Sequence, residues 1–306
     1  MQLVRGLYNL GSDLISGCVA TIGNYDGVHL GHQKILSYVK TKAIELKLKS
    51  VAIIFEPQPE EFFTRDRSLR LTSLREKFLL LKENGIDIVL LLPFNDHLAS
   101  LTAKQFITVI LVNKLRVKHI VIGDDFVFGH RRKGDYLLLN QEKERYGFQI
   151  TQLPPSKIDG VRVSSSLIRT ALIQGDLELA TKFLGRPYRI SGRIMHGDHR
   201  GRDLGFPTAN IYLKRQESPL TGVYAVKIYD LTPNLLSGIA NIGFRPTVAG
   251  KHKSYEVYIF NFSSDIYSKR VVIEFHKKIR DEQKFNSLIE LQSQIKKDLE
   301  MAKSLL

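Results

Sequence analysis

Two histidines three residues apart, His29 and His32, stand inside the stretch Gly23-Asn24-Tyr25-Asp26-Gly27-Val28-His29-Leu30-Gly31-His32. An apolar run, Val19 to Ile22, leads into it and a helical pattern, Gln33 to Leu48, follows it. The stretch therefore reads as a strand end, a glycine-rich turn and the first turn of a helix. The spacing sets both imidazoles on one face of that turn. The glycines at 23, 27 and 31 remove side chains where a phosphate chain could approach the backbone. The helix start offers unpaired N–H groups and partial positive charge to an anion. Two imidazoles there can donate hydrogen bonds to a phosphate on which charge builds during transfer. The competing readings are a loop whose histidines only cap the helix, and a zinc pair. The zinc pair lacks a third ligand nearby, and the only cysteine is Cys18.

Five further groups of residues carry possible chemistry. Phe55-Glu56-Pro57-Gln58-Pro59 and Glu60-Glu61-Phe62-Phe63 combine a rigid proline turn with aromatics that can pack on a flat ring; a stiff surface loop explains them equally well. Gly123-Asp124-Asp125-Phe126-Val127-Phe128-Gly129 suits an aromatic heterocycle with polar edges, and the triplet Arg131-Arg132-Lys133 behind it reads as a solvated loop. Ser164, Ser165 and Ser166, with Arg169 at helical spacing, form either a hydroxyl-rich helix cap or a clamp for the β and γ phosphates of ATP; beside the histidine motif the clamp is favoured. In the second half, Gly205-Phe206-Pro207-Thr208-Ala209-Asn210 places Thr208 and Asn210 two apart on an extended segment, so their oxygens share a side. Such neutral oxygens suit Mg²⁺ already carrying phosphates and water, or simply a turn at a strand start. Glu256 alternates with Tyr258, Phe260 and Phe262 on one strand face, as a general base for a hydroxyl or as a strand-end glutamate reaching solvent.

The elements that must position these groups follow from pattern. Near-continuous apolar runs, Cys18 to Ile22, Val51 to Phe55, Ile88 to Leu92, His119 to Ile122 and Phe148 to Leu153, read as strands buried on both faces. Helices alternate with them: Ser73 to Glu76 reads as a capping box with Gly85 as the stop, Thr102 to Gln105 opens a helix to about Leu115, and Asp176 caps one ending near Leu184. Alternation implies a doubly wound parallel α/β sheet, with ligands beyond the carboxyl ends of the strands. After Gly185-Arg186-Pro187 the texture changes to short strands between Tyr188 and Phe275 and a helix from about Asn286, expected as an antiparallel barrel or sandwich. Two domains are expected, 1–184 and 185–306.

Composition bounds the rest. The 306 residues are 43% hydrophobic and 25% charged, an ordinary globular balance. A single cysteine excludes an internal disulfide and fits a reducing cytoplasm. Met1 to Asn9 carries no apolar signal core, and the longest apolar run is far too short to span a bilayer. The net charge of +14 points to anionic partners such as nucleotides or nucleic acid, or to a basic surface that maintains solubility.

The histidine stretch resembles the HxGH signature of nucleotidyltransferases. The chain as a whole resembles the bacterial bifunctional riboflavin kinase/FAD synthetase family, on Gly23 to His32, Phe55 to Phe63, Arg70 to Lys77, Leu91 to Phe94, Gly123 to Gly129, Ser164 to Arg169, Leu184 to Tyr188, Gly201 to Asn210, Gly222 to Tyr224, Asn241 to Gly243 and Arg280 to Phe285. The resemblance implies a nucleotidyltransferase domain followed by a β-barrel kinase domain. The C-terminal module would phosphorylate riboflavin with ATP and Mg²⁺, with Thr208 and Asn210, beside Gly205, holding metal and phosphates, and Glu256 taking the ribityl hydroxyl proton. The N-terminal module would transfer AMP from a second ATP to FMN, giving FAD and pyrophosphate. There His29 and His32 would stabilise charge, Gly23, Asn24, Asp26 and Gly31 would contribute to the nucleotide site, and Ser164, Ser165, Ser166 and Arg169 would hold pyrophosphate. Phe55, Pro57, Pro59, Phe63 and Asp125 would shape the flavin and nucleotide site. Gln58, Ser166, Val127 and Phe244 depart from the family pattern at histidine, threonine, arginine and threonine positions. A nucleotidyltransferase with another acceptor leaves the second half unexplained, and a class I aminoacyl-tRNA synthetase lacks its lysine-rich second signature here. An RNA-binding module would use the basic surface alone. No nucleic-acid or membrane partner is expected; self-association is compatible with the sequence.

Overall fold

The computed structural model describes residues 1–11, 14–64, 69–196, 205–213, 217–247 and 250–306. It divides into two compact units, Met1–Ser68 with Leu74–Ser164, and Leu69–Ser73 with Ser165–Leu306.

The first unit is built on strands β1 (Gln2–Arg5), β2 (Cys18–Ile22), β3 (Lys49–Glu56), β4 (Ile88–Pro93), β5 (Val117–Gly123) and β6 (Gln149–Leu153). They form one sheet in the order β1-β4-β3-β2-β5-β6, parallel throughout. The five expected strands are present; β1 is an added edge strand, four residues long and too short to show a period. Alternate strand residues feed two cores. Ala20, Ile53, Leu90 and Ile120 face one side, with Phe106, Ile107, Ile110, Leu111 and Leu139. Val19, Ala52, Ile54, Val89 and Val121 face the other, with Leu36, Val39, Ala43 and Leu81. Both faces are covered, which is why the strands read as continuous apolar runs.

Helix α1 (Leu30–Leu46) follows β2, α2 (Pro59–Thr64) and α3 (Leu74–Glu83) follow β3, and α4 (Asp96–Ser100) follows β4. Thr102 and Gln105, where the sequence opens a helix, form a capping box at α5 (Ala103–Gln105). The helix then widens into a π-helix over Phe106–Lys114, apolar nearly all round, instead of continuing as α. Helix α6 (Tyr136–Tyr146) precedes β6, and β7 (Lys157–Ile158) pairs with β8 (Val161–Arg162) as a small hairpin. The chain runs outward through β3 and β4 on one side of β2 and through β5 and β6 on the other. The sheet order therefore reverses between β2 and β5, where a crevice opens at the strand ends.

The second unit opens with α7 (Ser165–Gln174) and α8 (Leu177–Leu184); Asp176 caps α8 and Gly185 ends it at φ 72°. Six strands follow: β9 (Arg189–Met195), β10 (Ala209–Tyr212), β11 (Gly222–Tyr229), β12 (Leu236–Thr247), β13 (Gly250–Ile259) and β14 (Arg270–Arg280). They close into a barrel, β10-β13-β12-β11-β14-β9, so the barrel alternative holds and the sandwich does not. Closure depends on β10, four residues that the sequence shows only as an extended segment around Thr208 and Asn210, which pairs with β9 and β13. Helix α9 (Leu288–Leu305), capped by Ser287, packs over β11, β12 and β14.

Candidate active sites

In the first unit the glycine-rich turn crosses the head of the crevice. Tyr25 and Val28 turn inward, buried, at φ 48° and 39°, and Gly27 takes φ 80° between them. Thr21 Oγ1 and Tyr25 OH share a hydrogen bond of 2.5 Å, fixing the turn to the end of β2. His29 is the N-cap of α1: its Nδ1 accepts from the His32 N–H at 3.3 Å. The two rings stack at 3.7 Å between centroids, 16° from parallel. A side chain at Gly31 would come within 3.1–3.2 Å of the His29 ring, so that glycine makes room for the imidazole pair. His29 thus does cap the helix, and the same geometry stacks His32 against it.

His32 has an unusual environment. Its Nδ1 is buried with no hydrogen-bond partner among the described residues. Burial, and then the charges of His29 and Lys77, hold its pKa well below the ordinary histidine value. The ring is therefore neutral at neutral pH, with one nitrogen available as a donor. Lys77, fully buried on α3, was not singled out from the sequence, because 45 residues separate it from His32 and only the fold brings them together.

A cavity of about 830 Å³ opens beside this pair. Gly23, Asn24, Tyr25 and His32 form one wall, and Gly123, Asp125, Phe126 and Phe128 another, so the loops after β2 and β5 face each other across the switch point. Phe55, Pro59, Phe63 and Phe94 line it as well; Pro57 is exposed and stands outside the wall. Phe94 lies edge-on to Phe55, Phe62 and Phe63 at 5.3–5.8 Å, a packed aromatic side for a flat ligand. Arg162 Nη2 bridges Asp124 and Asp125 at 2.9 Å to each, which sets the Asp125 carboxylate at the rim. Asp26 is buried within the turn rather than on the cavity wall. Gln58 is buried, its backbone N–H donating to Glu61 Oε2 at 3.0 Å. Ser164 ends the first unit, and Ser165, Ser166 and Arg169 occupy the first turns of α7 in the second. Arg131 and Arg132, read from the sequence as solvated, both line the cavity; Lys133 does not.

In the second unit Gly201 to Leu204 lie outside the described residues. Gly205 takes φ 84° and leads into Thr208 and β10. Thr208 Oγ1 donates to Glu256 Oε2 at 3.2 Å. Strand register sets Asn210, Glu256 and Asn241 in one row across β10, β13 and β12, so they share a face. The sequence suggested the pairing of Thr208 and Asn210; Asn241 needed the register. Along β13, Tyr255, Val257 and Ile259 are buried, while Glu256 and Tyr258 occupy the half-buried face, as alternation requires. That face forms a second cavity, of about 670 Å³, against α9. Phe206 and Tyr258, edge-to-face at 6.1 Å, and Leu288, Leu291 and Ile295 supply its apolar side; Thr208, Asn241, Glu256 and Glu282 supply the polar side.

Comparisons with known proteins give the family. A family model described as FAD synthetase matches residues 12–167, and one described as riboflavin kinase matches residues 184–306. The chain is 48% identical to the bifunctional riboflavin kinase/FMN adenylyltransferase of Escherichia coli (strain K12), over 97% of this chain and 96% of that protein. It is 47% identical to the protein of the same name from Pseudomonas fluorescens, over 100% and 98%. A crystal structure from Streptococcus pneumoniae, described as a macrolide-efflux protein, matches over 98% of both chains with a TM-score of 0.83 and 30% identity. That likeness is one of fold; among the described residues of this chain no helix is long and apolar enough to cross a membrane. Both family models, and near-complete coverage of the relatives, place this chain in the family of bifunctional riboflavin kinase/FMN adenylyltransferases, which make FMN from riboflavin and FAD from FMN.

Proposed function

We propose that the two cavities divide these reactions between them, with residues 1–184 serving adenylyl transfer and residues 185–306 serving the kinase. The observation that carries the first assignment is the stacked His29–His32 pair at the start of α1, of which His32 lines a cavity with an aromatic side. An FMN phosphate oxygen attacks the α-phosphorus of ATP, the bond to the bridging oxygen breaks, and pyrophosphate leaves. His29 and His32 donate hydrogen bonds to the α-phosphate oxygens as charge gathers there. The N–H groups around Gly23, Asn24 and Gly31 approach the phosphates, Asp26 supports the turn from within, and Asp125 meets the polar edge of the ligand. Phe55, Pro59 and Phe63 hold the isoalloxazine, with Pro57 stiffening the loop. Ser164, Ser165, Ser166 and Arg169 receive the pyrophosphate. No covalent intermediate is needed; positioning and charge neutralisation suffice.

In the kinase, riboflavin lies between α9 and the sheet face bearing Glu256. The ribityl 5′-hydroxyl oxygen attacks the γ-phosphorus of ATP, ADP leaves, and Glu256 takes the hydroxyl proton. Thr208 orients that carboxylate through its hydroxyl. Among the described residues no group of three or more His, Cys, Asp or Glu side chains could hold a metal by itself. Thr208 and Asn210 beside Glu256 instead offer hydroxyl, amide and carboxylate oxygens, the donor chemistry of a hard cation that arrives with its phosphates; Gly205 keeps the approach open. Mg²⁺ bound there would neutralise charge on the ATP phosphates. The reading needs no nucleic-acid or membrane partner, and it fits a cytoplasmic enzyme whose lone Cys18, buried, stays a thiol.

Tracing phosphorus tests the division. ATP labelled at the γ-phosphate should pass its label into FMN, and ATP labelled at the α-phosphate should label FAD but not FMN. Label from the α-position in a mononucleotide product would contradict it.

A further inference from the structure

The loop between Phe128 and Gly134 is built with unusual care for a solvated turn. Phe128 and Gly134 exchange both backbone hydrogen bonds, at 2.9 Å each, closing a loop of five residues. His130 ties it down from behind: its N–H donates to Leu101 O at 2.7 Å and its Nδ1 lies 3.2 Å from Ala99 O. Gly129 sits so close to α5 that a Cβ would meet the Ala103 backbone at 2.6 Å, and one on Gly134 would meet the Ala103 and Phe128 side chains at 2.7 Å. Held from both ends, Arg131 and Arg132 take consecutive left-handed conformations, φ 55° and 57°. Two adjacent non-glycine residues in that region cost energy that the anchors must offset, and strain of this kind collects where a side chain has to be aimed.

Both arginines line the cavity that also takes in His32 and the aromatic side; His29, stacked behind His32, is not on its wall. Among the described residues neither guanidinium is in an ion pair. Of the two cavity carboxylates, Asp125 already pairs with Arg162, which leaves Glu60. His32, half-buried and held neutral, brings no charge to the site. Adenylyl transfer to FMN brings the acceptor phosphate against the ATP phosphates, and that encounter needs fixed positive charge. We propose that Arg131 and Arg132 bind the terminal phosphate of the acceptor flavin nucleotide, so that the adenylyl-transfer site takes a flavin bearing a phosphate and discriminates against the unphosphorylated ring. Guanidinium groups suit this task because their paired N–H donors match a phosphate bidentately. The assignment rests on the adenylyl-transfer reading of this cavity.

The test uses the full chain, supplied with FMN, ATP and Mg²⁺. In the double variant Arg131→Gln/Arg132→Gln the KM for FMN should rise about tenfold to a hundredfold, the scale of losing charge-assisted hydrogen bonds, while the KM for ATP stays put. Inhibition by lumiflavin, which has the ring but no phosphate, should be unchanged, as should phosphorylation of riboflavin. Arg131→Lys/Arg132→Lys should restore part of the loss. Arg131→Gly/Arg132→Gly, which relaxes the backbone, should match the glutamine variant, separating charge from loop conformation. An unchanged KM for FMN, or a rise in the KM for ATP instead, would overturn the proposal. A parent enzyme that makes no FAD from FMN would sink the adenylyl-transfer reading itself and this assignment with it, an outcome plainly distinct from a defect confined to the variants.

Discussion

At the scale of residues, the His29–His32 pair shows how one turn can serve stability and chemistry together. His29 spends its Nδ1 on capping α1, while His32, half-buried with its Nδ1 shut away from solvent, is held neutral. Its folded pKa lies well below the ordinary 6.5. Between that depressed value and the ordinary one, the unfolded chain binds a proton that the folded chain does not. The contribution of neutral His32 is therefore full above the unfolded pKa and is lost as pH falls through the folded pKa. Urea unfolding at about pH 7.5 and about pH 5.5 should show lower stability at the acid end, and His32→Gln should flatten part of that difference. An unchanged slope in the variant would mean the ring is not buried as described. The pair was legible in the sequence because its partners are three residues apart. Lys77 and Asn241 were not, because each meets its site through tertiary packing or strand register, which local spacing does not encode.

At the scale of elements, both sites lie where backbone geometry changes hand or partner. The parallel sheet was legible from its doubly buried strands, and the reversal between β2 and β5 places two loops opposite each other. Strand β1 escaped the sequence and β10 showed only as an extended segment, four residues each, too short for a period to declare itself. Yet β10 closes the barrel and sets Asn210 opposite Glu256. The arginine loop escaped for a different reason: a run of basic residues between glycines looks solvated until the anchors behind it are seen. Glu256 works only where the register sets it. Glu256→Gln should lower the rate of riboflavin phosphorylation by roughly a hundredfold or more, the usual weight of a general base, with adenylylation of supplied FMN untouched. A loss in both activities would point to a folding defect instead of lost base chemistry.

At the scale of the whole molecule, the chain carries two cavities in two compact units, and each is finished by an element at the edge of its unit. In the second unit that element is α9, tied to the end of β14 by an ion pair. Arg280 Nε donates to Asp298 at 2.9 and 3.1 Å, Arg280 Nη2 lies 2.8 Å from Asp298 Oδ2, and Gln294 Nε2 adds a hydrogen bond at 2.8 Å. Asp298 is buried and Arg280 largely so. Removing the carboxylate strands a cation, so Asp298→Ala should cost about 2–3 kcal/mol in denaturant unfolding. Because α9 forms one side of the flavin cavity, the same variant should raise the KM for riboflavin and leave FMN adenylylation alone. A variant as stable as the parent would show that the pair only breaks even against its desolvation cost.

That one chain performs two consecutive transfers at two separate sites can be read from a product time course. Purified protein is incubated with riboflavin, ATP and Mg²⁺, and flavins are separated by chromatography. FMN should appear first and FAD after it. His29→Ala should stop the sequence at FMN, with FAD formation down by roughly 10²–10³, and Glu256→Gln should leave riboflavin unconverted while still turning supplied FMN into FAD. A His29→Ala enzyme that still makes FAD at the parent rate, or a Glu256→Gln enzyme that blocks both steps alike, would contradict it.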